Sequence, residues 1–312
     1  MKKTNILVYP LAATLLAILC NLLWGSAIPF INLGYRLFDI RSGEPATQLL
    51  FAGIRFFLAG ALTILFASVS QRKLVRPAKE NWHKVCKLGM IQTVAQYVCF
   101  YIGVANTSSV KASLIQGLSA FVSILIASYL FRFEKMDLMK WLGGIIGVVG
   151  VTIVNLQGGK LDGSISFMGE GLLIMSMCAS ACSTGLIRRY SQTEDPVAMS
   201  GWQFMFGGVV ITLTGLLMGG RLRVVSLPAV GVLLYLALLS AIAYTVWSLL
   251  LKYHPVSKIA CFMFLQPIFG VILGILMLEK AENLPLLLYG AALVLVCLSI
   301  VILSRRKGEE KK

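Results

Sequence analysis

Two tyrosines and two lysines recur at one spacing in a chain that is otherwise mostly apolar. Tyr97 is matched by Tyr244 and Lys111 by Lys258, each 147 residues further on, and Leu118 is matched by Leu265 at the same offset. Around the lysines the segments read NTSSVKASLIQGLSAF and YHPVSKIACFMFLQPI. A phenol offers a ring face and a hydroxyl, which suits the wall of a cavity that orients an amphipathic solute. Gln92, Gln96 and Tyr101 share an apolar run with Tyr97, and Trp247 shares one with Tyr244. A lysine in the first turn of a helix, beside unsatisfied backbone N–H groups, attracts a carboxylate or a phosphate. The same side chain also reaches lipid headgroups by snorkelling, so residue type leaves both roles open for Lys111 and Lys258. Arg55 stands mid-run in LLFAGIRFFLAG. It needs polar partners from another helix or a wet cavity. Its counterpart is Gln203 in GWQFMFGG, and a structural or gating role for Arg55 is favoured over solute contact.

Other chemistries lack their residues. All 13 acidic residues fall in loops, tails or the ends of apolar runs. A proton-coupled cation exporter usually relies on a mid-run carboxylate, so that class is disfavoured. His83 and His254 are the two histidines, both near run ends, and no H-E-x-x-H, G-x-S-x-G or phosphate-loop pattern occurs. An intramembrane enzyme or a nucleotide-driven pump is therefore not expected. Six of the seven cysteines (Cys20, Cys99, Cys178, Cys182, Cys261, Cys297) lie inside apolar runs and Cys86 at the edge of one. They read as small packers; no metal and no cofactor is expected. Glu134 and Glu279, in RFEKMD and MLEKAE, read as turn-formers able to cap the helix that follows.

These residues must be held by helices that cross a membrane. The 312 residues are 58% hydrophobic and 13% charged, against roughly 45–50% and 25% in soluble domains. Ten apolar runs are long enough, or nearly so, to span a bilayer: 8–31, 46–69, 86–105, 109–131, 139–156, 168–187, 198–219, 228–251, 257–278 and 284–304. The first begins like a signal peptide but continues past Leu23 without a convincing cleavage site, so it reads as a retained helix. The formal net charge of +15 does not point to nucleic acid, because the basic residues sit mainly between runs. With the N-terminus inside, 19 Lys and Arg fall on the inner side and 6 on the outer. That bias places both termini in the cytoplasm. Five spans per half then make the repeat inverted, with residues 1–157 as the first five-helix unit and 158–312 as the second, and a shared cavity at the midplane.

Local breaks should shape that cavity. CNLLWGSAIPFIN puts Pro29 inside span 1, and FLQPIFGVILG puts Pro267 inside span 9, where each removes a backbone bond and can hinge the helix. Span 4 has Ala120 at the position of Pro267, so unequal kinking of the halves is expected. The GGIIGVVGV run of span 5 suits close helix packing, within one chain or between two copies, which leaves a homodimer open.

With these residues in place, the chain resembles the drug/metabolite transporter superfamily in its EamA-type, ten-helix branch. The likeness lies in WGSAIPF, IRFFLAG, the tyrosine-bearing span 3 followed by ANTSSVKASLI, and above all HPVSKIACFMFLQPIFGVILGILMLEK. It covers nearly the whole chain, from about Leu11 to Leu303. The chain departs from the pattern at Ala120 and in lacking a glycine before Glu279. The resemblance implies an all-helical membrane fold of two inverted repeats. It implies secondary transport of small polar metabolites, amino acids or related compounds, commonly outward, by alternating access. Carried onto matching positions, it makes Trp24, Tyr97, Lys111, Tyr244, Lys258 and Gln266 the substrate-binding residues, with Arg55, Pro29 and Pro267 structural or gating. The expected setting is the plasma membrane, with a small solute and the lipid bilayer as partners. An organic-anion or phosphate-ester exchanger, suggested by the two lysines, and a non-transporting membrane protein are the alternatives.

Overall fold

A computed structural model describes residues 6–41, 43–107, 109–155, 165–223, 225–278 and 286–305. Within the described residues, each of the ten apolar runs forms helix. Spans 1 and 2 are Pro10–Leu37 and Pro45–Gln71. Span 3 is built from Trp82–Leu88, a π-helical stretch Gly89–Ala95 and Gln96–Ala105. Span 4 is Ser109–Gly117 followed by Ser119–Tyr129, and span 5 is Leu138–Asn155. Span 6 opens with a π-helical turn, Phe167–Gly171, and continues as Leu172–Tyr190. Spans 7 and 8 are Pro196–Leu217 and Leu227–Tyr253. Span 9 is Val256–Ala260, a 3-10 segment Cys261–Phe264, and Leu265–Leu278; span 10 is Leu286–Arg305. Among the described residues, six helices are long and apolar enough to cross a membrane by themselves.

The sequence sets the boundaries by local chemistry. Proline begins spans 1, 2 and 7, where its missing N–H costs nothing because first-turn donors are unpaired anyway. Asp195 accepts from Val197 N at 2.9 Å and Ser166 from Gly169 N at 2.9 Å, so two further orphan donors are capped. Span 2 stops at Arg72, whose φ of 52° turns the chain out of the helix.

Packing follows the inverted repeat. Span 1 lies against spans 8 and 9, and its equivalent, span 6, lies against spans 3 and 4. Span 2 pairs with its own equivalent, span 7, and span 5 with span 10. Each contact thus has a partner under exchange of the halves, as two related five-helix units of opposite orientation require. The span 2–span 7 contact is close because both helices carry glycine there. A Cβ on Gly53 would stand 2.4 Å from Thr212 N, and one on Gly208 would stand 2.4 Å from Phe57 N. Span 5 uses its glycines the same way: Gly143 and Gly150 face Leu303 and Val296 of span 10, and Ser299 donates to Gly143 O at 2.6 Å. That run packs within one chain.

The helix breaks differ from expectation. Span 1 passes through Pro29 as one continuous helix. Spans 4 and 9, expected to bend unequally, are both irregular and at equivalent places. Span 9 tightens to 3-10 geometry over Cys261–Phe264, just ahead of Pro267. Span 4 is interrupted at Leu118, whose N–H reaches Ile115 O at 3.1 Å, although no proline is present. Gly117 lies so near span 5 that a Cβ there would meet Val151 at 2.3 Å.

Candidate functional site

The two halves meet through aromatic side chains at the middle of the bundle. Tyr97 of span 3 and Tyr244 of span 8 share a hydrogen bond between their hydroxyls at 2.8 Å. Trp24 stands edge-on to Tyr244 at 5.1 Å and to Trp247 at 5.0 Å between ring centres. Phe56 packs on Tyr97 at 4.4 Å and Phe204 on Tyr244 at 4.8 Å. Phe56 and Phe204 stack on each other at 5.3 Å with planes 11° apart. The cluster is therefore itself two-fold: a tyrosine and a phenylalanine from each half, meeting like with like. Phe56 and Phe204 were not singled out from sequence, though each directly follows a noted polar residue, Arg55 and Gln203.

Arg55 is buried, 4% exposed, with its guanidinium carbon 4.3 Å from the centre of the Phe56 ring and 5.8 Å from that of Tyr97. Its Nε has no hydrogen-bond partner. Gln203 is as buried; it accepts from Thr93 Oγ1 at 2.7 Å, and its Nε2 is unpaired. Trp24 Nε1 is a third unpaired buried donor. Thr93 lies in the π-helical stretch of span 3, a deformation that often marks functional segments.

Of the residues expected to bind solute, Trp24, Tyr97 and Tyr244 come together here. Gln266 is near: a Cβ added to Gly25, beside Trp24, would meet Gln266 O at 3.0 Å and Phe269 at 2.6 Å. The lysines stand apart from the cluster, at opposite ends of the bundle. Lys111 pairs with Glu170 at 3.3 Å, and that carboxylate also accepts from Thr107 Oγ1 at 2.6 Å and Ser166 N at 2.8 Å. Lys258 lies half-buried in the first turn of span 9 and makes no ion pair with a described residue. Pro29 is buried in span 1, and Pro267 is half-buried just after the 3-10 segment of span 9.

The face bearing the N-terminus, rich in basic residues, is tied across the halves. Glu134 accepts from Ser257 N at 3.0 Å and from Ser257 Oγ, so it caps span 9 of the opposite half. Its other partner is Lys140 Nζ at 2.8 Å. Glu134 was expected to cap the helix after it, but Asp137 takes that position by accepting from Lys140 N at 2.9 Å. Glu279 lies outside the described residues. Arg188, at the end of span 6, donates to Leu251 O at 2.7 Å and Lys252 O at 2.8 Å, closing the carbonyl end of span 8. On the same face, a cleft of about 610 Å³ opens between the ends of spans 3, 4 and 6, with Lys87 and Arg189 on its rim and Ile91, Phe131 and Leu186 within. It is separate from the tyrosine pair.

An all-helical membrane bundle of two interlocked, inverted repeats, meeting at a shared aromatic centre, is the architecture of a transporter. The chain belongs to the EamA-like transporter family, whose profile matches residues 11–156 and again 167–305. It is similar to a WAT1-related chloroplastic protein of Arabidopsis thaliana, 26% identical over 88% of this chain and 67% of that one. It is 26% identical to the uncharacterized transporter YvbV of Bacillus subtilis over 84% of each. It is also 26% identical to the uncharacterized inner membrane transporter YedA of Escherichia coli K12, over 93% of this chain and 91% of that one. A protein crystal structure superposes with a TM-score of 0.74 at 14% identity, covering 94% of this chain and 98% of that one, which shows the shared fold. The protein is thus a multi-pass membrane transporter with a small-molecule substrate.

Proposed function

We propose that the protein is a secondary transporter that moves small polar metabolites, amino acids or related compounds, outward across the plasma membrane by alternating access. Both termini lie in the cytoplasm on this reading, and residues 1–157 and 158–312 act as the two rocking units. The observation that carries it is the Tyr97–Tyr244 hydrogen bond. It is a polar contact between equivalent residues of the two halves, and so supports a pathway that opens between them. Parting the halves on one side would release two hydroxyls, two phenylalanine faces and the Trp24 edge to a solute. Trp24, Tyr97, Tyr244 and Gln266 are the proposed binding set. Lys111 and Lys258 are better placed as residues of the two mouths.

The names of the relatives carry no substrate, so the test is a direct one. Purified protein in liposomes should carry at least one amino acid or related metabolite, and that solute should raise the protein's unfolding temperature, because a ligand of the folded state stabilises it. Protein-dependent flux of no solute in such a panel would refute the metabolite reading.

A further inference from the structure

Arg55 is a buried cation in the aromatic centre, with no carboxylate partner among the described residues. The sequence has no Asp or Glu in the interior of any span, and Arg55 is 4% exposed. Its guanidinium carbon stands 5.8 Å from the centre of the Tyr97 ring. Aromatic faces attract a guanidinium, and Phe56 at 4.3 Å supplies one. A ring face, however, offers no lone pair to Nε, which stays unpaired. One more unpaired buried donor borders the phenols, Trp24 Nε1, on a ring edge-on to Tyr244; Gln203 Nε2, on the residue equivalent to Arg55, is unpaired as well. A buried cation is costly until it is paired and hydrogen-bonded. Lys111 does not create a second free charge for the site, because Glu170 engages it.

We propose that Arg55 is the residue that receives a carboxylate on the transported solute, with the hydroxyls of Tyr97 and Tyr244 freed as further donors when their mutual bond opens. This deepens the transport reading above and rests on it. The juxtaposition selects the ligand's chemistry. Donors without an acceptor call for an anion, a planar guanidinium matches the two oxygens of a carboxylate, and a single cation balances one negative charge rather than two. Arg55 is therefore given a role in solute recognition beyond the structural or gating one expected of it.

The experiment compares amino acids with their α-amides and with the corresponding amines, using flux into liposomes and thermal stabilisation of the purified protein. Wild type should carry and be stabilised by carboxylated solutes, while amides and amines of the same side chain do neither. Arg55→Gln should weaken the carboxylated solutes by about tenfold to a hundredfold in apparent affinity, the scale of a charge-assisted hydrogen bond, and Arg55→Lys should recover part of that loss. Acid and amide binding wild type equally would overturn the proposal, and needs no variant that folds. So would an Arg55→Gln protein that binds and carries the carboxylated solutes as wild type does. Wild-type transport of amines alone would do the same while leaving the transporter reading intact. Failure of every solute with wild type would instead remove the metabolite reading itself.

Discussion

Replacing Glu134 by alanine should open the basic face. The carboxylate holds three donors at once: Ser257 N at 3.0 Å, Ser257 Oγ, and Lys140 Nζ at 2.8 Å. Glu134 and Lys140 are 5% and 6% exposed, so the pair belongs with buried ion pairs, not with screened surface ones. Removing one partner of a buried pair typically costs about 3–5 kcal/mol, because the other charge is left unpaired. Lys140 would keep only Lys135 O, at 2.9 Å. On the proposed alternating access, the two bonds from Ser257, which cross between halves, hold only while this face is closed; as bonds to a charged group they are worth about 1.5–3 kcal/mol each. At about 1.4 kcal/mol per tenfold, 3 kcal/mol would raise the open population roughly a hundredfold. Cys261 reports on it. The thiol is 0% exposed, one turn beyond Ser257 in span 9. With the other cysteines replaced by alanine, its alkylation by a charged maleimide from the basic side should accelerate in Glu134→Ala. The double variant Glu134→Ala/Lys140→Met should be slower than the single, since the stranded charge is gone. An unchanged rate in the single variant, or strictly additive effects in the double, would refute the coupling.

Tyr97→Phe and Tyr244→Phe should each destabilise slightly, and the double-mutant cycle in thermal unfolding should show coupling of about 0.6 kcal/mol, at most about 1.7; no coupling means the hydroxyls do not meet. Gly53→Ala and Gly208→Ala must separate backbones that now touch, so each should cost about 1–3 kcal/mol, whereas Gly231→Ala, with open space around its Cβ position, should be nearly neutral in the same melts. Glu44 is held below the usual carboxylate range, first by the hydrogen bond from Arg223 at 2.7 Å and also by that residue's charge. A lowered folded-state value means the stabilisation is present above the ordinary carboxyl pKa and is lost as pH falls through the lowered one. Wild type and Arg223→Gln should therefore differ in melting temperature near neutrality, by little because the pair is exposed, and converge in acid. Convergence at neutral pH, or a gap that widens in acid, would contradict the assignment.

Much of this was legible in the residues because a bilayer leaves a chain few options. Backbone groups in hydrocarbon must pair within a helix, so apolar runs and prolines marked the helices to within a few residues. The spacing of Tyr97 and Tyr244 announced the repeat and paired two side chains that do meet. Phe56 and Phe204 escaped notice because an aromatic residue in an apolar run carries no signal of its own, and only the close approach of spans 2 and 7 makes them partners. The interruption of span 4 at Leu118 was hidden too, because no proline marks it; beside it, Gly117 meets Val151, a contact 34 residues apart that no local rule encodes.

The sequence by itself determined what is covalent or periodic: helix extents, the duplication, the absence of a mid-span carboxylate and the side on which basic residues gather. The tertiary structure alone decided which groups find partners. It gave Lys111 to Glu170 and Glu134 to the opposite half, and it left Arg55 beside the phenols with an unpaired Nε. Hydrogen bonds and ion pairs act over a few ångströms between residues far apart in the chain. Their pairing therefore depends on how helices pack, which the one-dimensional pattern constrains without fixing.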